Sequence, residues 1–163
     1  MLVNQWPKHC ITQNQRQGYW GEMYVKRLLE SEGFIVVMNP DQYGAWDMVK
    51  IHPVTGKASS IQVKTLVRYV TRNYFGIKEG AKKQTINNLK SCDELILVVR
   101  NPASIEDKLY KGKVLKVKNH KNFTLIHNEY RIPSDSDNFE FLAELTPQEL
   151  NEVNSFNTNK EPK

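Results

Sequence analysis

The spacing of apolar residues predicts a helix near the start of the chain. We place it over residues 15–32, with Gly33 as a natural stop. Residues at helical spacing share one side of this helix, and that side carries Gly21, Tyr24, Val25, Leu28 and Leu29. Glu22 lies at the rim of the same face. A carboxylate there needs a partner, because burying it alone is costly; the candidates are Lys26 or Arg27 of the same helix, or a cation or lysine from the sheet.

Three strands are predicted to follow the helix as a β-meander. Residues 34–38 form a continuous run of β-forming apolar side chains, which predicts a strand buried on both faces. A loop rich in turn residues leads to a second strand at 46–51, and a second turn leads to a third at 59–66. The second and third strands are therefore expected to be antiparallel neighbours.

The second half of the chain predicts a smaller set of elements. A helix is expected over residues 82–91 and a buried strand over 94–100. Residues 114–117 and 123–126 resemble a late hairpin with its turn at 119–122, and 130–132 a short extra strand. Thr146, Pro147 and Glu149 carry the signals of a helix start, and this helix is expected to end near Val153.

This order of elements predicts an α/β (α+β) fold with a mixed central sheet flanked by helices, plus a C-terminal β-hairpin and helix. A chain of 163 residues suits one domain, which we place at 1–153, with a core over about 15–100, additions over about 101–153 and a flexible tail at 154–163. We expect a cytoplasmic protein, because no apolar run approaches bilayer length, no secretory signal is evident, and the two cysteines lie far apart.

Positive charge is concentrated in one segment of the sequence. Eight lysines and arginines but only one acid lie between Lys57 and Lys90, whereas the whole chain carries a net charge of +5. Such a segment with interleaved aromatic residues suits a polyphosphate backbone with bases nearby. A solvated helix face and loop is the alternative. The candidate nucleic-acid contacts are Arg68, Arg72, Lys78, Lys82, Lys83, Tyr69, Tyr74 and Phe75.

Four polar residues form the candidate catalytic group: Glu22, Asp47, Gln62 and Lys64. Alternation along the third strand puts Gln62 and Lys64 on one face, and antiparallel pairing brings Asp47 beside them. The alternatives are an edge strand with one wet face and a turn or cap role for Asp47. Asp41 follows a proline in the preceding loop, but Asp47 directly abuts the strand and is preferred. His9 and Cys10 are too sparse for a metal site and are interpreted as ordinary N-terminal residues.

The chemistry that suits these residues is phosphodiester hydrolysis with Mg²⁺, which prefers oxygen ligands. Asp47, the Gln62 amide oxygen and the Val63 carbonyl would hold the metal, and Glu22 would bind a second ion or a metal-bound water. Lys64 would orient the attacking water or stabilise developing negative charge. Mn²⁺ is expected to substitute.

The arrangement of Gly21-Glu22, Asp47 and Gln62-Val63-Lys64 resembles the PD-(D/E)XK (restriction-endonuclease-like) nuclease superfamily, over about residues 15–100. Archaeal-type Holliday junction resolvases and many restriction and homing endonucleases share this order. One departure is plain, because Gln62 stands where the superfamily usually has Asp or Glu. The resemblance implies a Gln-x-Lys variant with one negative charge fewer at the metal site.

Together these observations predict a metal-dependent endonuclease acting on duplex DNA, of restriction or homing type. A structure-selective nuclease such as a junction resolvase is one alternative, and a non-catalytic nucleic-acid-binding protein on the same fold is another. A homodimer or homotetramer is expected, because a single site cuts one strand of a symmetric duplex. No membrane association is expected.

Overall fold

A computed structural model of the chain describes residues 2–41, 44–69, 72–78, 84–100, 112–123 and 125–156, with the backbone alone at 84–87. In chain order its helices and strands are α1 (Gln13–Ser31), β1 (Ile35–Met38), β2 (Met48–Ile51), β3 (Ala58–Val67), β4 (Tyr74–Lys78), α2 (Gln84–Ser91), β5 (Glu94–Arg100), β6 (Lys113–Val117), β7 (Leu125–Ile126), β8 (Glu129–Pro133), β9 (Phe139–Glu144) and α3 (Pro147–Asn154).

The central sheet has six strands in the order β1-β2-β3-β5-β6-β9. Only β3 and β5 run parallel, and the chain crosses between them through β4 and α2. The other neighbours are antiparallel, including the predicted β1-β2-β3 meander. A second, antiparallel sheet has the order β4-β8-β7. The predicted mixed α+β fold with a central mixed sheet and flanking helices is therefore confirmed.

Two apolar clusters cover the two faces of the central sheet. On one face, α1 and α3 pack on the sheet through residues such as Trp20, Val25 and Val153. On the other face, Leu89 of α2 and the second sheet pack against β5, with Tyr130 among the buried residues. All seven residues of β5 are consequently buried, as the apolar run at 95–99 predicts, and the burial extends to the charged residues Glu94 and Arg100 at its ends.

The strand predicted to be buried on both faces is instead an edge strand. In β1, Ile35 is 53% exposed and Val37 is 46% exposed, whereas Val36 and Met38 pack against the cluster beneath α1. The reason is the position of β1 at the sheet edge, where α1 covers only one face. A continuous apolar run reports the residue types that a strand tolerates, and it does not report how many layers cover the strand.

The late hairpin predicted from residues 114–117 and 123–126 is wrong. Strand β6 pairs with β5 and β9 in the central sheet, and β7 pairs with β8 in the second sheet. The observed hairpin joins β7 to β8 through His127 and Asn128, both with positive φ, as two-residue hairpin turns require. The short strand expected at 130–132 lies within β8.

Helix ends follow their capping residues. Thr12 accepts a hydrogen bond from the Gln15 N–H in a capping box, so α1 begins earlier than its apolar spacing predicts. Thr146 and Glu149 form the predicted capping box of α3. The flexible tail predicted from residue 154 starts too early, because Asn154 belongs to α3 and Phe156 is buried. Among the described residues, no helix is long and apolar enough to span a bilayer.

Candidate active site

Asp47 is fixed where β2 separates from β3. The pairing of the two strands ends at Met48 opposite Ile61, and the Asp47 N–H donates to the Ile61 carbonyl at 2.9 Å. Beyond that point the Asp47 carboxylate, instead of a backbone carbonyl of β2, satisfies the backbone of β3, since its Oδ2 accepts the Val63 N–H at 2.7 Å. The carboxylate is therefore held by β3 itself, at the edge of the opening between the two strands.

Glu22 reaches the same place because α1 approaches β3 very closely. A Cβ atom at Gly21 would collide with the Thr65 hydroxyl and also meet Val98, so the helix can lie here only with glycine at this position. The next residue, Glu22, then points its carboxyl group at Asp47, and the two groups are hydrogen-bonded. The rim position predicted for Glu22 brings it to the sheet, rather than to Lys26, whose ammonium pairs with Glu30 at 2.9 Å.

The two carboxyl groups share a proton. Burial, together with the charge of Asp47 and the hydrogen bond to it, raises the pKa of Glu22 to about 9, although Lys64 opposes this. Burial also raises the pKa of Asp47, against the lowering effects of the Val63 N–H, the Glu22 hydrogen bond and the Lys64 charge. Of the two groups, Glu22 is therefore the one that holds the proton at neutral pH, and it shares that proton with Asp47 through the hydrogen bond.

Gln62 and Lys64 extend the group along β3. Ile61 and Val63 pack into the cluster beneath α1, so strand alternation turns Gln62 and Lys64 to the other face. Gln62 is only 8% exposed, and its side-chain oxygen has no hydrogen-bond partner in the described structure. Such an unpaired buried acceptor is uncommon and costs free energy.

A cavity of about 590 Å³ opens over these residues. Asp47 and residues 62–65 of β3 line it, and Glu22 lines it from α1. Further lining residues come from the N-terminal segment, from α1 and from the loop between β1 and β2: Pro7, His9, Asn14, Gln15, Gln17, Gly18, Tyr19, Met38, Asn39, Pro40, Asp41 and Trp46. The opening exceeds what a single hydrated ion occupies and has room for a larger group.

The oxygen atoms of this group suit a hard divalent cation. No cluster of three or more His, Cys, Asp or Glu side chains occurs in the described part of the chain, because the third position here is the amide Gln62. The unpaired Gln62 oxygen and the Asp47 carboxylate are both ligands that Mg²⁺ accepts. The Val63 carbonyl faces the same side of β3 as its N–H, toward Asp47. The donor set therefore fits the expected cation.

The structure separates the predicted nucleic-acid contacts into three groups. Arg72, Tyr74 and Lys78 lie on the outer surface of the second sheet, where the Arg72 guanidinium lies 5.8 Å from the centre of the Tyr74 ring. Arg68 and Tyr69 precede them, with Tyr69 packed against Arg72 at 4.5 Å. Lys82 and Lys83 lie outside the described residues.

One predicted contact is wrong, and one basic residue was missed. Phe75 cannot meet a base, because it is 8% exposed and packs edge to face on Phe139. Arg131 of β8 stacks on Tyr74 at 4.5 Å and belongs to the same outer surface. The sequence around Arg131 gives little indication that it belongs to a basic surface, because its neighbours Tyr74 and Lys78 are brought to it by the pairing of β8 with β4.

The cavity also holds residues to which the sequence predictions gave no role. Asp41, the alternative acid, lines the opening from the loop and is exposed, whereas Asp47 is tied to β3. Tyr19 precedes Glu22 by one helical turn, a spacing that would have placed it near the site. His9 is 13 residues before Glu22 in sequence, and no local pattern would have brought it here.

No family model matches the sequence. No curated protein matches it either. Among solved structures, the fold is similar to that of a bacterial homing endonuclease, I-Ssp6803I, with a TM-score of 0.49 and 13% sequence identity, over 76% of this chain and 77% of that one.

Proposed function

We propose that the protein is a metal-dependent nuclease that hydrolyses phosphodiester bonds in duplex DNA. One observation carries the proposal: Glu22, Asp47, Gln62 and Lys64 line one cavity, with Glu22 and Asp47 hydrogen-bonded to each other and the buried amide oxygen of Gln62 unpaired. The buried carboxyl pair and the unpaired Gln62 oxygen both cost stability, and a bound cation would offset that cost. Titratable groups perturbed by burial and by one another, inside a cleft, are typical of functional sites.

Each residue has a distinct role in the proposed reaction. Asp47, Gln62 and the Val63 carbonyl hold Mg²⁺, which when bound supplies polarisation of a phosphate oxygen and of a water molecule. Lys64 places positive charge beside the phosphate and stabilises the negative charge that develops on it. Glu22 would supply a second carboxylate once its shared proton is released, and that carboxylate would help to hold the cation or its bound water.

The outer surface of the second sheet supports DNA as the substrate. Arg72, Lys78 and Arg131 surround Tyr74 there, against a single carboxylate, Glu129, among the residues that line this surface. Glu129 is already paired with Arg131 at 2.7 Å. Exposed cations with an aromatic ring between them contact a phosphate backbone and an adjacent sugar or base.

Plasmid cleavage with Mg²⁺ or Mn²⁺ tests the proposal. Asp47→Asn and Lys64→Ala should each lower the rate by at least about 100-fold, because both act on the charge of the reacting phosphate. Exposed residues outside the cavity give matched controls, Asp137→Asn and Lys118→Ala, which should cleave at the rate of the unaltered protein. Cleavage that is unchanged by the first pair, or absent with both cations on duplex, junction and single-stranded DNA, would contradict a nuclease; DNA binding alone would then favour the non-catalytic alternative.

Product analysis distinguishes the finer alternatives. We favour a restriction- or homing-type enzyme, which cuts at a fixed sequence, over a structure-selective enzyme, which cuts at a fixed branch geometry. Because duplex DNA has two equivalent strands, we further propose a two-fold dimer or a dimer of dimers as the active species. Light scattering of the active protein, with sequencing of its product ends, tests both points.

A further inference from the structure

The N-terminal segment, residues 2–11, contributes Pro7 and His9 to the wall of the cavity. Its start is tied to α3, since the Leu2 N–H donates to the Glu152 carboxylate at 2.6 Å. Val3 is buried, and Trp6 packs edge to face on Phe156 at 5.3 Å between ring centres. The segment is therefore anchored to the fold before it reaches the cavity.

His9 is held at the cavity by the far end of this segment. Its ring packs edge to face on Tyr19 of α1, with 6.4 Å between the ring centres. The flanking backbone is fixed, because the Cys10 N–H donates to the Pro7 carbonyl at 3.0 Å and Arg16 donates to the Cys10 carbonyl at 3.3 Å. The imidazole is partly buried and lines the same opening as Glu22, Asp47 and Lys64.

His9 and the groups on β3 line one cavity from different elements of the fold. Asp47, Gln62 and Lys64 line the cavity where β2 and β3 separate, and they serve the phosphate and the attacking water. In an in-line displacement the leaving oxygen departs on the side opposite the attack. The wall formed by the N-terminal segment supplies His9, and imidazole is a side chain that holds and releases a proton near neutral pH.

We propose that His9 is a general acid that protonates the leaving oxygen during phosphodiester cleavage. The inference rests on the proposed nuclease function. A water oxygen forms the new bond to phosphorus and loses a proton to solvent, while the bond from phosphorus to the ester oxygen breaks. The electron pair of that bond stays on the departing oxygen, which takes the proton of His9. The neutral imidazole then regains a proton from solvent.

Several charged or titratable groups set the electrostatic environment of His9. From α1 these are Tyr19, Glu22 and Arg16, and from the other walls of the cavity they are Asp41, Asp47 and Lys64. Cys10 follows it in its own segment, where burial raises the pKa of the thiol, so this group stays neutral.

A substrate with a better leaving group isolates this role. Product ends first identify which ester oxygen leaves, and a duplex is then made with sulphur in place of that bridging oxygen. A thiolate leaves without protonation, so single-turnover cleavage of the sulphur substrate should be unaffected in His9→Gln. On the all-oxygen substrate the same variant should be about 100-fold slower, a loss typical of a missing general acid.

The comparison has a control and an unambiguous negative outcome. His52→Asn changes a histidine outside this cavity while keeping an acceptor for the turn N–H groups that His52 Nδ1 binds, and it should match the unaltered protein on both substrates. Equal slowing of His9→Gln on both substrates would overturn the proposal, as would no slowing on either. If the unaltered protein cleaves neither substrate, the nuclease function fails and not the role of His9 alone.

Discussion

Replacing Glu22 by glutamine tests the shared proton at the centre of the candidate site. A glutamine amide can donate to the Asp47 carboxylate as the protonated Glu22 does, so the hydrogen bond and the shape of the site are kept. The pH dependence of the protein's stability changes, because glutamine cannot ionise. We therefore expect Glu22→Gln to raise thermal stability at alkaline pH and to lower nuclease activity, since the variant has no carboxylate to release.

The sign and size of the expected stability change follow from the raised pKa of Glu22. The folded protein keeps this proton up to about pH 9, whereas an unfolded glutamate releases it near its ordinary pKa of 4.5. Between those values the folded state binds more protons than the unfolded state, so stability falls as pH rises, by at most about 1.4 kcal/mol per pH unit. The contribution is present in full below pH 4.5 and is lost above pH 9.

Thermal unfolding between pH 4 and pH 9 measures this contribution. Because Asp47 and solvent share the titration, we expect about 2 kcal/mol of added stability in Glu22→Gln at pH 8, or about 4–8 °C, and none at pH 4. Glu30→Gln is a matched control on the same helix; it loses only an exposed pair with Lys26, worth about 0.3–0.5 kcal/mol. If Glu22→Gln and the unaltered protein show the same slope of melting temperature against pH, the two carboxyl groups do not share a proton.

Three further predictions concern the approach of α1, the C-terminal packing and the basic surface. Gly21→Ala should cost about 1–3 kcal/mol in urea unfolding through its clash with Thr65, whereas Gly18→Ala, with open space around it, should gain about 0.5–1 kcal/mol; a Gly21→Ala variant not rescued by Thr65→Ala would contradict the clash. Phe156→Ala should cost about 3 kcal/mol in the same assay, and a neutral result would show that residue 156 belongs to a loose tail. Arg72→Ala removes one positive side chain and should lower the slope of log affinity against log salt for duplex DNA by about 0.9. An unchanged slope would show that Arg72 does not contact a phosphate.

The meander and the place of Asp47 were predictable because their physics is local. Strands joined by short turns pair with each other, and antiparallel pairing places Met48, at the start of β2, opposite Ile61 of β3, so that Asp47 lies next to the middle of β3. The capping box of α3 was equally readable, because Thr146 and Glu149 need only each other. These predictions depended on residues fewer than 20 positions apart, for which the sequence itself restricts the geometry.

The second sheet was not predictable by the same reasoning. Strands β4 and β8 are separated by 50 residues, and neither is long enough to show a clear alternation. The segments at β6 and β7 are both short and apolar, so nothing local prevents them from pairing with each other. Each instead pairs with a strand that offers a fuller interface, β6 with the buried β5 and β7 with β8. Long-range pairing also determines the orientation of Phe75, which is buried against Phe139.

The amide side chain of Gln62 affects the charge of the candidate site. With an amide at this position and a proton on Glu22, the site carries less negative charge than three ionised carboxylates would, and Lys64 opposes what negative charge remains. A divalent ion must therefore displace the shared proton to gain a second carboxylate. Metal affinity should rise with pH up to the pKa of Glu22, about 9. A site whose carboxylates were all ionised at neutral pH would not show this rise. On this reasoning the proposed site, with glutamine at position 62, would bind its cation better at higher pH.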